Sequence, residues 1–146
     1  MAVDVVTEAV IQRGVDEVAA YASDPANAPT WYARIDSVEP RTDPPLQVGS
    51  QMTFVARFLG RRLEYTYEIV ELEPGHRLVM RTAQGPFPME TTYSWAPVGD
   101  GCTRMTLRNR GEPAGFSSLA APFIAAAIRR ANRQDLARLR SILEVG

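Results

Sequence analysis

The side chains best suited to chemistry in this sequence are polar groups that fall among apolar ones. Alternating apolar residues, typical of strands with one buried face, place phenols, a hydroxyl and an amide on the buried side. Two more polar groups interrupt the apolar stripe of a C-terminal helix. The whole set is Tyr65, Tyr67, Thr91, Tyr93, Asn109, Asn132 and Asp135. Because a buried polar group needs a hydrogen-bond partner, each of them must bond another protein group or a ligand.

Two chemical roles are open to these groups. A phenol can orient a ligand carbonyl or donate a proton, and Asp135 can act as a general base if burial raises its pKa. Plainer interpretations stand beside both. A buried tyrosine usually bonds a backbone carbonyl or water, and Asp135 is placed to pair with Arg138 on a half-exposed turn of the helix. Asn132 and Asp135 mark either a wet cavity or the point where the helix leaves the sheet.

The composition excludes several kinds of catalytic site. All 16 basic side chains are arginine, so Schiff-base chemistry and a lysine-bearing phosphate loop are excluded. With one His and one Cys, the chain has too few ligands for a His/Cys zinc site and cannot form an internal disulfide. His76 follows Pro74-Gly75, which predicts an exposed turn residue and not a catalytic base. We therefore expect no metal and no cofactor.

Length and charge predict one domain over residues 1–146. At 146 residues and 45% hydrophobic, the chain can bury a single core. A net charge of -1 gives no general attraction to nucleic acid. The longest apolar run, residues 119–128, is half the length that a membrane span needs, so no stable membrane insertion is expected. The lone Cys102 and the absence of a signal-like leader predict a cytoplasmic protein.

Residues 115–146 have the spacing of one long amphipathic helix. Its polar face carries Arg129, Arg130, Arg133 and Arg140, and Pro122 predicts a kink or a restart near the beginning. The apolar face consists of Ala121, Ile124, Ala125, Ile128, Ala131, Leu136, Leu139, Ile142 and Leu143. Such a face needs a sheet or a second helix to cover it.

The rest of the chain supplies that sheet. Residues 3–11 alternate as a strand, residues 15–22 form a short helical pattern, and Ser23-Asp24-Pro25 caps a second short helix. A strand over residues 35–42 and a run of five or six more strands, joined by short turns, follow as far as Asn109. This order predicts an α+β domain in which an antiparallel sheet curls around the terminal helix.

Several segments are similar to those of one superfamily. They are Val15-Asp16-Glu17-Val18 before Ser23-Asp24-Pro25 and Trp31, Val48-Gly49, residues 73–78, 85–95 and 99–104, and residues 135–139. On these residues the whole chain resembles the SRPBCC or START-related superfamily, which includes polyketide cyclase/dehydrase-like and lipid-transport proteins. The resemblance implies a helix-grip fold with a deep hydrophobic cavity between sheet and helix. Members use that cavity for lipids, sterols, polyketides or other apolar ligands.

The resemblance and the inward faces together predict a ligand-binding set. It is Trp31, Tyr32, Phe54, Phe58, Tyr65, Tyr67, Met80, Phe87, Met89, Tyr93, Trp95, Met105, Ile128, Asn132 and Asp135. Aromatic and methionine side chains suit an apolar pocket, although the same residues could fill an ordinary core. Trp31 and Tyr32 follow the short helices, so they are either an aromatic pair at the cavity mouth or a plug that anchors those helices.

Three functions fit this sequence. We expect a binding module for a small apolar ligand; the first alternative is a polyketide aromatase/cyclase- or dehydratase-like enzyme that uses tyrosine and a carboxylate. The second is a ribosome- or chaperone-associated interaction module. An inward ionisable group with a shifted pKa beside two tyrosines would favour the enzyme, and a filled cavity would favour the interaction module. No nucleic-acid partner is expected, and we expect a monomer or a homodimer. Phe116 and Phe123, which point away from the apolar stripe of the helix, either pack on the short helices or form a dimer patch.

Overall fold

The computed structural model describes residues 3–58, 60–84, 88–111 and 121–145. Within them, seven strands form one antiparallel sheet, and helices lie on its concave side. The strands are β1 (Val3–Ile11), β2 (Ile35–Pro40), β3 (Gln51–Phe58), β4 (Arg61–Glu73), β5 (Arg77–Gln84), β6 (Met89–Pro97) and β7 (Thr103–Gly111). The helices are α1 (Val15–Ser23), a 3₁₀ turn at Pro25–Asn27, α2 (Ala28–Trp31) and α3 (Ala121–Glu144).

The sheet has the order β1-β7-β6-β5-β4-β3-β2. Consecutive strands from β2 to β7 are therefore neighbours, as the predicted short turns require, and the last strand, β7, pairs with β1. Cross-strand register aligns the inward residues, because Phe54 lies opposite Tyr65 and Met52 lies opposite Tyr67. Alternation along each strand thus collects phenol and thioether side chains on the face that α3 covers.

Helix α3 buries the face that the sequence predicted. Ile124, Ala131, Leu136 and Leu139 are buried, whereas Arg133 is exposed on the opposite side. Pro122 is the second described residue of α3, so the kink or restart predicted there stays a prediction. The predicted helical residues 115–120 and the turn at Gly85-Pro86 lie outside the described residues. Among the described helices, none is long and apolar enough to cross a bilayer.

The short helices close one end of the sheet. Asp24 Oδ1 accepts a hydrogen bond from Ala26 N at 3.0 Å, which fixes the 3₁₀ turn as the predicted cap does. The chain then carries Trp31 into the core, where its side chain is 0% exposed. Around it pack inward residues of the sheet together with Leu136 and Leu139 of α3. The arrangement is the α+β sheet-and-helix architecture predicted from the sequence.

Candidate functional site

A pocket of ≈ 150 Å³ lies between the sheet and the middle of α3. Its helical wall is formed by residues at positions i, i+3, i+4 and i+7, which is the spacing of one helix face. The walls are Tyr32, Arg34, Ile35, Phe54, Ala56, Leu63, Tyr65, Tyr67, Met80, Met89, Thr91, Tyr93, Asn109, Ile128, Ala131, Asn132 and Asp135. All seven polar residues that the sequence placed on buried faces therefore meet at this one pocket.

Asp135 is the carboxyl group of the pocket, and its side chain is almost completely buried. Its side chain is 2% exposed, and its Oδ1 accepts a hydrogen bond from Ala33 N at 3.0 Å. Burial raises the pKa of Asp135 to about 6, and the backbone bond from Ala33 and the charges of Arg34 and Arg138 only partly oppose this rise. Asp135 thus changes charge close to neutral pH, and its backbone contact also holds the chain just after Tyr32.

This environment corrects one interpretation of Asp135. A half-exposed ion pair with Arg138 was the plainer possibility, yet the carboxyl is buried and Arg138 is exposed. None of the ion pairs formed within the described ranges joins the two side chains. Helix geometry explains the result, because Asp135 is in register with Ile128 and Asn132 on the inward face, and Arg138 is rotated away towards solvent.

Tyr32 and Tyr93 form a hydroxyl pair on the pocket wall. Their Oη atoms are 2.7 Å apart, so one phenol donates to the other. Burial raises the pKa of Tyr32 well above its usual range, and the neighbouring Tyr93 hydroxyl makes the second largest contribution. Burial also raises the pKa of Tyr93. The charge of Asp135 adds to both shifts. Both phenols are therefore protonated at neutral pH, and the pair retains one O–H that is not used between the two rings.

A second polar group forms on the strands opposite. Thr91 Oγ1 donates to Asn109 Oδ1 at 2.9 Å, across the β6–β7 ladder. Burial raises the pKa of Tyr67, and the neighbouring Thr91 hydroxyl opposes only part of this rise. Burial likewise raises the pKa of Tyr65. The tyrosines of the pocket are thus neutral hydrogen-bonding groups and not phenolates.

Asn132 differs from the other polar residues of the pocket. It is 5% exposed, and its Nδ2 has no hydrogen-bond partner in the described part of the chain. A buried amide N–H without a partner lowers the stability of the fold, and a ligand that accepts a hydrogen bond from it removes this penalty. The pocket therefore contains a hydrogen-bond donor that no described residue accepts from.

The structure sorts the predicted ligand-binding residues into three groups. Tyr32, Phe54, Tyr65, Tyr67, Met80, Met89, Tyr93, Ile128, Asn132 and Asp135 line the pocket. Trp31, Trp95 and Met105 do not; they are 0–4% exposed and belong to the packed core beside it. The remaining two predictions, the side chain of Phe58 and residue Phe87, lie outside the described residues.

The predicted Trp31-Tyr32 pair is divided between these roles. Their ring centroids are 4.0 Å apart, but Trp31 is the plug that anchors the short helices and Tyr32 alone reaches the pocket. Sequence reasoning missed Arg34, an exposed residue at the pocket. Its place two residues after Tyr32, in the connection to β2, was the available signal. His76 is exposed in its turn, as predicted.

Another depression, of ≈ 270 Å³, lies under residues 43–46 at the β2 end of the sheet. Its walls are rich in proline, and its carboxylates, Asp24 and Asp43, are exposed. Although it is larger, it holds none of the buried polar groups described above. Among the described residues, no cluster of three or more His, Cys, Asp or Glu side chains is arranged to hold a metal ion. The pocket under α3 is therefore the candidate site.

Comparison with known proteins gives the family. Residues 2–144 match the family described as polyketide cyclase/dehydrase and lipid transport, so the chain belongs to that family. No curated protein matches the chain in sequence.

Solved structures share the fold at low sequence identity. A START superfamily protein from Mycobacterium smegmatis superposes with a TM-score of 0.83 at 14% identity over 97% of each chain. The Zhui aromatase/cyclase from Streptomyces sp. R1128 gives 0.84 at 13% identity over 99% of this chain and 94% of its own. Major latex-like protein 151 from Panax ginseng gives 0.74 at 11% identity over 96% of each chain. The fold is thus the START helix-grip fold that the sequence resemblance implied.

Proposed function

We propose that this protein binds a small, largely apolar ligand in the pocket between the sheet and α3. One observation carries the proposal: a space of ≈ 150 Å³ remains open among aromatic, methionine and hydrogen-bonding side chains. Apolar walls with a few placed polar groups are the usual composition of a small-molecule site. The family's association with polyketide and lipid ligands supports the same function.

The walls provide both affinity and orientation. Phe54 and Tyr67 meet edge to face, with centroids 5.3 Å apart, and provide rigid apolar surface. Met80 and Met89 on the neighbouring strands are flexible, so they can adjust to the outline of a ligand. The open volume also argues against the interaction module, for which a filled cavity was the expected sign.

A cavity-filling variant tests the proposal. Ala131 lines the pocket from α3 and is 9% exposed, so Ala131→Leu places three extra carbon atoms in the space meant for the ligand. Ala137→Leu, on the exposed side of the same helix, makes the same change away from the pocket. We expect toluene to bind the wild type and Ala137→Leu, and to bind Ala131→Leu at least about tenfold more weakly.

Binding is measured by NMR titration, and thermal unfolding of each variant checks that it is folded. Equal affinity for toluene in all three proteins, with Ala131→Leu folded, would contradict the assignment of the pocket as the binding site. Native mass spectrometry of protein from its own host, followed by extraction, then identifies the natural ligand.

A second candidate function, acid–base catalysis, is favoured by Asp135. It is an inward carboxyl with a pKa raised to about 6 by burial, and its charge acts on both Tyr32 and Tyr93. This is the arrangement that the sequence argument named as the sign of an enzyme. A base with a pKa near the working pH combines adequate basicity with the deprotonated state.

The reaction that this arrangement suits is enolisation of a carbonyl compound. Asp135 removes a proton from the carbon next to the carbonyl; the electron pair of that C–H bond forms the C=C bond of the enolate, and the π pair of the carbonyl moves to its oxygen. The free O–H of the tyrosine pair hydrogen-bonds the developing oxyanion. Return of the proton to carbon restores the ketone. If the substrate has a β-hydroxyl, the protonated Asp135 can instead give that proton to the hydroxyl, which leaves as water while the enolate collapses to an α,β-unsaturated ketone.

Proton exchange reports on this step without knowledge of the natural substrate. We expect the protein to accelerate deuterium incorporation at the α-carbons of cyclohexanone in D₂O, with a rate that rises with pH through an apparent pKa near that of Asp135, about 6. Asp135→Asn should remove the acceleration, typically about 100-fold or more for a lost general base. Binding of cyclohexanone without accelerated exchange would leave the binding function and reject the catalytic one.

A further inference from the structure

Asn132 carries a recognition group at the pocket that is unused within the described part of the chain. The side chain is 5% exposed, lines the pocket and has an Nδ2 without a partner among the described residues. The indole nitrogens of Trp31 and Trp95 are also unpaired, but these side chains lie in the packed core and not on the pocket. Of these three orphaned donors, only the amide of Asn132 therefore belongs to a side chain that lines the pocket.

The neighbouring charges restrict what that ligand can be. Asp135, one helical turn after Asn132, carries a negative charge above pH about 6 and faces the same pocket. The cationic Arg34 is exposed at the pocket, and Arg34 and Arg138 already lower the pKa of Asp135. An anionic group at Asn132 would meet the Asp135 carboxylate, whereas an uncharged acceptor meets no such repulsion.

The volume restricts the size. The pocket of ≈ 150 Å³ matches a cavity of about 150 Å³ that accommodates benzene in another protein. The flexible side chains of Met80 and Met89 can rotate to enlarge the pocket by the volume of a few atoms. A long acyl chain or a fused polycyclic ligand would therefore have to extend beyond this space.

We propose that the pocket selects a compact, uncharged ligand, about the size of one substituted ring, whose carbonyl or similar acceptor is bound by Asn132 Nδ2. This inference rests on the proposed binding function and specifies its ligand class. Asn132 is the specificity-determining residue: the apolar walls bind the ring, and the amide recognises the acceptor.

Three ligands of nearly equal shape test the proposal. Acetophenone carries a neutral carbonyl, α-methylstyrene replaces its oxygen with a CH₂ group, and benzoate replaces the methyl ketone with a carboxylate. We expect acetophenone to bind wild-type protein about five- to tenfold more tightly than α-methylstyrene, which corresponds to one neutral hydrogen bond. Benzoate should bind more weakly than acetophenone at pH 8.

The matched variants are Asn132→Leu and Gln134→Leu. Both replace an amide with a similar apolar side chain on α3, but Gln134 is exposed and is not part of the pocket. The preference for acetophenone should persist in Gln134→Leu and fall to about one in Asn132→Leu. In wild-type protein, acetophenone should also shift the side-chain NH₂ signal of Asn132 in a ¹⁵N NMR spectrum, and α-methylstyrene should not; this readout needs no variant to fold.

Each contrary result has a distinct meaning. If none of the three ligands binds, the proposed binding function fails along with this inference. Equal affinity for acetophenone and α-methylstyrene in wild-type protein, or a preference that survives Asn132→Leu, overturns the inference and leaves apolar binding intact. Tightest binding by benzoate overturns the uncharged ligand class. Binding of 2-acetylnaphthalene as tightly as acetophenone overturns the size limit, because a second ring should cost about tenfold or more in a space of this size.

Discussion

The middle of α3 and its C-terminal part cover the same sheet with the same amphipathic spacing, yet they pack differently. Leu136 and Leu139 are 1% and 0% exposed and belong to the main core with Trp31. One to two turns earlier, Ile128 stays partly exposed, and the helix faces the pocket through it and Asn132. At the beginning of the helix, Ile124 is buried again. The helix is thus packed near both ends and open between them.

This difference in packing along α3 indicates which part of the helix can form a binding site without loss of the fold. Packed ends hold the helix on the sheet, so the middle does not have to fill its space to maintain the fold. The polar groups follow the same division, because Asn132 and Asp135 lie in the open part and aliphatic residues occupy the packed part. A site that keeps an unpaired amide and a raised carboxyl pKa is less stable locally, and the packed ends offset this cost.

The first prediction concerns a substitution in the packed C-terminal part of α3. Leu139→Ala should lower the free energy of unfolding by about 3 kcal/mol, since a fully buried leucine leaves a cavity in a packed core. Ile128→Ala, on the same helix at the pocket, should cost about 1 kcal/mol, because part of its surface already faces open space. Urea unfolding of both variants measures the two losses. Equal losses would show that the middle of α3 is packed like its end.

The second prediction concerns the charge in the open part. Because the pKa of Asp135 is about 6 in the folded protein and ordinarily 3.8, the folded state binds this proton more tightly than the unfolded chain. The resulting stability is complete below pH about 4 and is lost as pH rises to about 6. The free energy of unfolding of Asp135→Asn should therefore exceed that of the wild type by about 1–3 kcal/mol at pH 7.5, and the two should be about equal at pH 4.

The variant keeps an oxygen that can accept the bond from Ala33, so the backbone contact is matched. Thermal and urea unfolding at both pH values provide the measurement. A gain of the same size at pH 4, or none at pH 7.5, would mean that burial of the carboxylate is not what costs stability at this position.

Much of this division could be predicted from the sequence, and the part that could not has a physical reason. Alternation placed Tyr67 and Tyr93 on the inward face, and helical spacing placed Asn132 and Asp135 there, because periodicity determines which side of an element a residue occupies. Periodicity does not determine position along that face. Trp95 and Met105 satisfy the same alternation, but neighbouring elements fill the space around them, so they lie in the core and not at the pocket.

Asp135 and Tyr32 show the same limit in chemical terms. The sequence could pair Asp135 with Arg138 or bury it, and in the fold the carboxyl is buried and accepts a bond from the backbone of Ala33, in the turn after α2. The Tyr32–Tyr93 hydrogen bond joins residues 61 positions apart, and nothing local in the sequence indicates it. Contacts that depend on how distant elements dock are the ones that sequence patterns leave undetermined.

The smallest predicted effect concerns the hydroxyls of Tyr32 and Tyr93. It tests whether they act as one hydrogen-bonded pair or as two independent groups. Tyr32→Phe and Tyr93→Phe should each lower the free energy of unfolding by about 1 kcal/mol, because each leaves the other hydroxyl without its 2.7 Å partner. The double variant should cost clearly less than the sum, with a coupling energy of about 1 kcal/mol in a double-mutant cycle. The control Tyr21→Phe removes an exposed hydroxyl that bonds Thr30, and should change stability by less than about 0.5 kcal/mol. Strictly additive losses at Tyr32 and Tyr93 would mean that the two hydroxyls act independently. In that case the pocket would hold two separate hydroxyl groups for a ligand in place of one coupled donor.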